Sequence, residues 1–284
     1  MTGFDELQKY VGWRTEHEDV ITVSQVQRMN ATLDRDEPAP RIGDPVPPGW
    51  HLIFFPRIPP TQSLSRDGTE PASENGMPDP LPVRMFAKNK CKFSLPLRIG
   101  DQVRRITEIA SIDAKEGRSG KLVFVTYRYT ISTQSGVATE DERELVFLEE
   151  SKAGPRKPPP GQPAPAGAVW EMTVNPTNTM LFRFSAVTFN PHRIHYDHPY
   201  ATEAEGYPGL VVHGPLTATW LLELARNNNP GATMTGFEVR AKAPLFAGRP
   251  FRIIGRPRSG QRVCDLWAIT PENTVAMEAS ASFA

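Results

Sequence analysis

Residues 184–201 read FSAVTFNPHRIHYDHPYA, and residues 207–218 read YPGLVVHGPLTA. Three of the six histidines, His192, His195 and His198, fall within seven residues of the first stretch. Imidazole titrates near neutral pH, so a cluster of this kind is typical of a site that transfers protons. The stretch therefore indicates a chemical site as well as a structural core.

The second stretch carries His213-Gly214 directly before an apolar run, Leu216 to Leu224. This run predicts a helix that begins near the His-Gly pair. The first N–H groups of a helix have no partner within it and are free to bind an anion. A base beside such an oxyanion site predicts enolate chemistry on a thioester.

Two segments of this region resemble a known family. The string His195-Tyr-Asp-x-x-x-Ala201 resembles the end of the MaoC-like (R)-specific hydratase motif, and Val212-His-Gly-Pro-Leu216 resembles its His-Gly-Met/Pro-Leu segment. Over residues 181–225 the sequence is similar to the branch that holds mesaconyl-CoA and itaconyl-CoA hydratases and type 2 hydroxyacyl-thioester dehydratases. The resemblance implies an α+β double hotdog fold, with two tandem units of antiparallel sheet wrapped around a central helix.

The same resemblance implies the catalytic residues. His195 would be the general base or acid, Asn190 would orient the water, and the Gly214 N–H would stabilise the enolate oxygen. Where Asn190 stands, the wider family has an aspartate. An amide cannot accept a proton as a carboxylate can, although it can still position a water molecule.

Further residues around the motif are expected to bind substrate or to support His195. The predicted substrate-binding residues are Arg193, Tyr196 and His213, and the predicted supporting residues are His192 and Asp197. Alternatives stay open for several of them: His192 as a packing residue, Arg193 as a partner of an aspartate or a helix end, and Asp197 as a cap. Because Pro191 and Pro199 bracket the cluster, its three-residue histidine spacing is not expected to form a helical metal site, and no metal is predicted.

Composition narrows the class of protein. A formal net charge of zero over 284 residues argues against nucleic acid as a partner. Cys91 and Cys264 lie far apart and are expected to be reduced thiols of a cytoplasmic protein. No apolar run approaches the roughly 18 residues of a membrane span. The expected partners are an acyl-CoA, with CoA as a substrate carrier and no cofactor, and a second copy of the chain in a homodimer.

Proline-rich stretches divide the chain. Residues 154–167 are rich in proline and glycine and predict a semi-rigid linker, which we place at 151–168. Residues 1–150 are expected to form an N-terminal hotdog-like half that shapes the acyl pocket, with the stretch from Pro38 to Pro82 as a cover. Residues 169–284 are expected to form the catalytic hotdog.

A weak internal repeat supports two related units. Pro-Leu-x-x-Gly occurs at 96–100 and again at 244–248, each time before a strand-like stretch. β-Branched and aromatic runs predict strands, and apolar periodicity or capping residues predict helices. The predicted strands are 102–112, 121–132, 144–148, 251–255, 262–269 and 275–283. The predicted helices are 215–225 and 22–33, with 49–55 as a poorly preserved central helix of the first half.

The expected activity is that of a hydro-lyase. It would reversibly add water to an enoyl-CoA, with short branched dicarboxylic thioesters such as mesaconyl-CoA or itaconyl-CoA as the leading substrates by resemblance. Three alternatives stay open: a dehydratase of the fatty-acid type, an acyl-CoA thioesterase, and a non-catalytic acyl-thioester-binding subunit. Release of a free thiol would distinguish the thioesterase from the hydratase.

Overall fold

A computed structural model describes residues 5–70, 77–117, 120–149 and 161–284. Three α-helices and ten strands make up the regular structure of these residues. The helices are α1 (Val23–Thr32), α2 (Asn178–Thr188) and α3 (Gly214–Asn227). The strands are β1 (Arg14–Val20), β2 (Val83–Phe93), β3 (Gln102–Gly117), β4 (Gly120–Thr133), β5 (Gly136–Leu148), β6 (Trp170–Val174), β7 (Met234–Ala241), β8 (Phe251–Pro257), β9 (Val263–Ile269) and β10 (Val275–Phe283).

All ten strands form one antiparallel sheet in the order β1-β3-β4-β5-β2-β7-β10-β9-β8-β6. Strands β1 to β5 fill the first five positions and strands β6 to β10 the last five. Equivalent strands of the two sets occur in reverse order across the sheet. The halves meet where β2 pairs with β7, and Lys90 lies opposite Glu238 at that seam. Their side chains form an ion pair of 2.8 Å. This arrangement is a sheet built from two hotdog units, as predicted.

The repeated Pro-Leu-x-x-Gly segments occupy equivalent places in the two units. The carbonyl of Leu97 accepts a hydrogen bond from the N–H of Val46, and the carbonyl of Leu245 accepts one from Val212, both at 2.8 Å. Their closing glycines, at positions 100 and 248, both have positive φ angles, 99° and 74°, which favour glycine. Leu97 and Leu245 are 148 positions apart in the sequence. The same spacing separates the two glycines, and Lys90 from Glu238 at the seam.

Helix α3 is the central helix of the second unit. It has 14 residues, and its apolar face is buried against the sheet. Each large apolar side chain that is fully buried on this face stabilises the folded protein by about 1.5–3 kcal/mol. In the first unit the equivalent segment is only a 3₁₀ turn, Trp50–Ile53. A Cβ added to Gly49 would lie 2.3 Å from Leu222 of α3, so this turn packs directly against the helix of the other unit.

Most predicted elements are present with different bounds. Helix α1 is capped by Thr22 and Gln25 in a reciprocal capping box, which explains why the helix starts where predicted. The predicted strand 144–148 is too short, because β5 begins at Gly136 and pairs along its whole length with β4. Strands β1, β2, β6 and β7 and helix α2 were not predicted.

The linker prediction lies partly outside the described residues, since 151–160 are not among them. Residues 161–168 run beside the hairpin between β9 and β10, where Pro163 bridges to Thr274 and the N–H of Ala164 donates to Asn273 at 3.0 Å. None of the helices in the described part of the chain has the length and apolar character that a membrane span requires.

Candidate active site

The C-terminal end of helix α2 positions Asn190. The helix is capped at its start by Thr177 and closes with Phe189 in the left-handed region, at φ 52°. The N–H groups of Phe189 and Asn190 both donate to the carbonyl of Ser185. A bulky residue at positive φ is a costly conformation, and such residues cluster at functional sites. The turn directs the chain away from the helix and towards the cavity.

The Asn190 amide has a defined orientation. A backbone N–H can only donate, so the acceptor of the His192 N–H at 3.0 Å is the carbonyl oxygen of the Asn190 side chain. The Asn190 oxygen is therefore bound to the backbone, and its two amide hydrogens remain to donate elsewhere. Asn190 lines the large cavity of the protein.

His195 is buried, with 7% of its surface exposed, at the end of the 3₁₀ turn Arg193–His195. Its Nδ1 lies 2.7 Å from the carbonyl oxygen of Val211. Because a carbonyl only accepts, Nδ1 carries the proton, and Nε2 of the neutral ring has the free lone pair. Burial, with a smaller contribution from His192, lowers the pKa of His195 to about 3. His195 is thus a neutral base at physiological pH.

His213 stacks on His195. The ring centroids are 3.6 Å apart and the planes differ by 21°. His213 Nε2 lies 2.9 Å from the Ser185 hydroxyl, while its buried Nδ1 has no hydrogen-bond partner. Burial and the neighbouring His195 lower the pKa of His213 well below its usual value. The His213 ring is not among the residues that line the cavity, although its neighbours Val212 and Gly214 are.

His192 meets His195 edge-on, at a centroid distance of 5.4 Å. Its Nε2 lies 3.7 Å from a carboxylate oxygen of Asp67, which belongs to the first unit. Burial lowers the pKa of His192 to about 4, and the Asp67 carboxylate opposes that shift. His192 lines the cavity beside His195.

The structure places Arg193, Tyr196 and Asp197 outside the cavity lining. Arg193 donates to the Asp197 carboxylate at 2.7 Å and lies over the ring of Tyr200 at 4.1 Å. Asp197 also accepts from the Tyr200 N–H and so caps the next turn. Tyr196 is 48% exposed, and its hydroxyl donates to the carbonyl of Pro191. These contacts hold the loop that carries His195.

A loop of the first unit fixes the same segment from the other side. The carbonyl of Asp67 accepts from the Arg193 N–H at 2.8 Å, and the carbonyl of Arg66 accepts from the Arg193 guanidinium at 3.1 Å. A Cβ added to Gly68 would lie 2.3 Å from the carbonyl oxygen of Pro191. The two units therefore build the site together.

Gly214 is the first residue of α3 and lines the cavity. Its N–H has no acceptor within the helix, and the next residue, Pro215, has no N–H to offer. An added Cβ would lie 3.4 Å from the ring of Phe86 in β2, so this ring walls the helix terminus. The site thus combines a neutral imidazole with an exposed backbone donor in one cavity.

A second polar cluster lies under the 3₁₀ turn of the first unit. Among the described residues, His51, Cys91 and Asp141 form the one group whose potential metal ligands approach within 4.8 Å of one another. Asp141 already accepts from His51 at 2.9 Å, from Arg143 at 3.0 Å and from Asn89. Although burial opposes it, Arg143 lowers the pKa of Asp141 to about 2.

These contacts fit a structural network better than a metal centre. Burial raises the pKa of the Cys91 thiol, which disfavours the thiolate that a metal would need. The Arg143 guanidinium also places a positive charge beside the carboxylate. Three donors already contact the Asp141 carboxylate, and one of them carries the positive charge that a cation would otherwise supply.

The sequence predicted that residues 1–150 shape the acyl pocket, with Pro38 to Pro82 as a cover, but it did not single out the side chains of the first unit that lie beside the motif residues. Asp67, Arg84 and Phe86 all line the cavity with Asn190 and His195. The available sequence signal was the alternation of charged and aromatic residues in β2. The same pattern is typical of a strand that has one solvated face. Only the pairing of β2 with the rest of the sheet shows which of these residues point inwards.

The fold and site define a double hotdog protein with a hydratase-type catalytic centre. The chain belongs to the hydroxyacyl-thioester dehydratase type 2 family, whose sequence profile matches residues 49–247. It is a hydro-lyase by this membership.

A curated relative agrees with this assignment, and two solved structures agree with the fold. The chain is 44% identical over 272 residues, 95% of each protein, to the mesaconyl-C(4)-CoA hydratase of Chloroflexus aurantiacus. It is similar in fold to HtdX of Mycobacterium tuberculosis, with a TM-score of 0.68, 19% identity, and coverage of 96% of this chain and 100% of that one. A second M. tuberculosis protein, described as having a double hotdog fold, gives a TM-score of 0.60 at 14% identity and covers 99% of this chain and 98% of its own.

Proposed function

We propose that the protein reversibly hydrates an enoyl-CoA with a short branched dicarboxylic acyl group, such as mesaconyl-CoA. The observation that carries this proposal is the 44% identity, over 95% of both chains, to a mesaconyl-C(4)-CoA hydratase. The aligned region covers both units, and therefore both walls of the cavity.

The buried imidazole supports a role for His195 as the proton carrier. Its Nε2 accepts a proton from water while the water oxygen bonds to the β-carbon of the enoyl group. The electron pair of the double bond moves towards the thioester carbonyl, and His195 returns the proton to the α-carbon. The reverse sequence removes water from the hydroxyacyl thioester.

Gly214 and Asn190 assist this step. The free N–H at the start of α3 donates to the thioester oxygen as negative charge develops there, which lowers the barrier. The Asn190 amide hydrogens are available to an acceptor in the cavity, either the oxygen of the attacking water or a substrate oxygen. The roles of Arg193, Tyr196, His192, Asp197 and His213 are then to hold the loop and the imidazole.

A second candidate is dehydration of a 3-hydroxyacyl thioester of the fatty-acid type, which the family profile over residues 49–247 favours. The two candidates share the reaction and differ in the acyl chain. The cavity is about 2460 Å³ and is open to solvent, so its size alone admits both.

A panel of thioesters tests the proposal. Loss of enoyl absorbance would be measured with mesaconyl-CoA, itaconyl-CoA, crotonyl-CoA and a long-chain enoyl-CoA, with thiol release followed in parallel. We expect the highest kcat/KM with a dicarboxylic thioester and no thiol release. Preference for the long chain would favour the second candidate, and thiol release would support a thioesterase.

Other features complete the proposal. We propose that residues 1–150 form the structural half and 169–284 the catalytic half, with Asp67 supporting the site from the first. We propose a cytoplasmic location, supported by the two buried, unpaired cysteines. We also propose a homodimer that needs no metal or redox cofactor. Light scattering in solution and activity after treatment with a chelator test the last two points.

A further inference from the structure

A β-bulge in β2 turns one arginine into the cavity. Phe86 pairs with Leu145 and Lys88 with Glu144, so Ala87 is an extra residue between them. Side chains alternate between faces along a strand, and one extra residue reverses that alternation. Arg84 and Phe86 therefore share a face with Asn89 and Cys91 and not with Lys88.

The two faces have different surroundings. Lys88, Lys90 and Lys92 lie on the opposite face, where they pair with Glu144, Glu238 and Glu140 at 3.0, 2.8 and 3.2 Å. Of these three lysines only Lys88 also lines the cavity, and its ammonium group is the one paired with Glu144. On the inner face, Phe86 walls the N-terminus of α3 at Gly214, and Arg84 lines the cavity two residues earlier. Two residues along a strand correspond to about 7 Å, a distance that a long arginine side chain can bridge.

Arg84 is only loosely held by protein groups. Its one ion pair in the described structure is with Glu70, at 3.7 Å, which is longer than a hydrogen bond. Its side chain is 17% exposed. It lies close enough to His192 to oppose protonation of that ring. A partly buried guanidinium in this position has donors to offer, since its planar fork can bind two carboxylates at once.

Two other arginines near the site are already paired, whereas Arg66 and Arg240, which also line the cavity, are exposed to solvent. Arg143 donates to Asp141, and Arg193 donates to Asp197 and lies outside the cavity lining. In a mesaconyl thioester only the two alkene carbons separate the free carboxylate from the thioester carbonyl. The carboxylate must therefore stay near the reacting carbons, in the region that Arg84, His192 and Gly214 surround.

We infer that Arg84, turned inwards by the bulge at Ala87, binds the free carboxylate of a dicarboxylic acyl-CoA and so selects this substrate class. The inference rests on the proposed function and adds the residue that recognises the second acid group. The Glu70 carboxylate, 3.7 Å away, balances the charge of the guanidinium without occupying its hydrogen-bond donors. Arg84 is a binding residue and takes no part in proton transfer.

The test compares Arg84→Gln with the wild type on mesaconyl-CoA and on crotonyl-CoA, which lacks the second carboxylate. Loss of a charge-assisted hydrogen bond weakens binding by about 10- to 100-fold. We expect kcat/KM to fall by that factor on mesaconyl-CoA and to change less than threefold on crotonyl-CoA. Arg84→Lys keeps the charge but loses the fork, so it should retain part of the preference.

Lys90→Gln is the matched control, because it removes a positive charge from the opposite face of the same strand; both activities should stay unchanged. Inhibition by the saturated analogues methylsuccinyl-CoA and butyryl-CoA gives a readout without turnover, and only the first should weaken in Arg84→Gln. If that variant does not fold, the Arg84→Lys comparison decides. An equal loss on both substrates, or no loss on either, overturns the inference.

The inference and the proposed function fail in different ways. If the wild type turns over crotonyl-CoA but no dicarboxylic thioester, the substrate class is wrong and the inference falls with it. If the wild type prefers mesaconyl-CoA and Arg84→Gln keeps that preference, the function stands and the inference alone is wrong.

Discussion

The rings of His195 and His213 stack face to face, with centroids 3.6 Å apart, and both are buried. A proton on either ring would place a charge against the other in a poorly solvated site, so both rings are held neutral. The Nδ1–H group of His195 donates to the carbonyl of Val211, so Nε2 keeps a free lone pair. The stacking thus favours an unprotonated His195, and on the proposed mechanism His213 supports that ring.

The first prediction concerns the pH dependence of the reaction. Because the pKa of His195 is lowered to about 3, the ring stays unprotonated as pH falls from 8 to 5, and the base is lost only at lower pH. If the base were a histidine with the ordinary pKa of 6.5, its unprotonated fraction, and with it kcat/KM, would fall about 30-fold at pH 5. We expect kcat/KM for hydration to change less than threefold between pH 7 and pH 5. An inflection near pH 6.5, with circular dichroism unchanged, would contradict this.

The second prediction tests His195 itself. His195→Ala should reduce hydration by about 10²- to 10⁴-fold, because the reaction loses the imidazole proposed to carry the proton. The fold should persist, as judged by circular dichroism and thermal unfolding. His198→Ala is the control, since His198 is exposed three residues further along the same loop. More than half of wild-type turnover in His195→Ala would rule out the assignment.

The motif region could be predicted because its residues are close in sequence. Asn190, His195 and Gly214 come from one short segment, and the α3 helix follows from a local apolar run. The proton on Nδ1 and the stacking on His213 could not be predicted, since both depend on how the segment folds back on Val211. Helix α2 was missed because its sequence, NTMLFRFSAVT, leaves Phe182 exposed and mixes apolar with polar faces.

The first unit was harder to predict for a different reason. A period-two pattern places Arg84, Phe86, Lys88 and Lys90 on one face, and only the bulge at Ala87 separates them. A bulge depends on pairing with β5, which lies more than 50 residues away. The two Pro-Leu-x-x-Gly repeats did indicate the duplication, because each sets a turn by local backbone geometry alone.

The third prediction concerns the buried cluster of the first unit. Asp141→Asn should destabilise the protein by about 3–5 kcal/mol, because it leaves the Arg143 guanidinium without its counter-charge. The free energy of unfolding would be measured by urea denaturation. Glu140→Gln, its neighbour on the outer face, removes an exposed pair with Lys92 and should cost about 1 kcal/mol or less. Equal effects of the two substitutions would show that the cluster has no special role.

The last prediction concerns Asn190. Its side-chain oxygen accepts the His192 N–H, and an aspartate at this position can accept the same hydrogen bond, so Asn190→Asp should fold normally. The substitution replaces the NH2 group of the amide, which donates two hydrogens, with a second carboxylate oxygen, which can only accept. If Asn190 only oriented water, the variant would keep much of its activity, since an oxygen acceptor remains.

The geometry favours the opposite outcome. One lone pair of the oxygen is bound to the backbone N–H of His192, and the amide hydrogens are the donors that Asn190 offers to the cavity. A carboxylate in their place would repel an anionic acyl group. We therefore expect Asn190→Asp to lose at least about tenfold more kcat/KM on mesaconyl-CoA than on crotonyl-CoA. Asn190→Ala is the control that removes the donor without introducing a negative charge, and its loss should be similar on the two substrates. An equal loss of Asn190→Asp on both would refute the repulsion and return Asn190 to the role of a water-orienting acceptor.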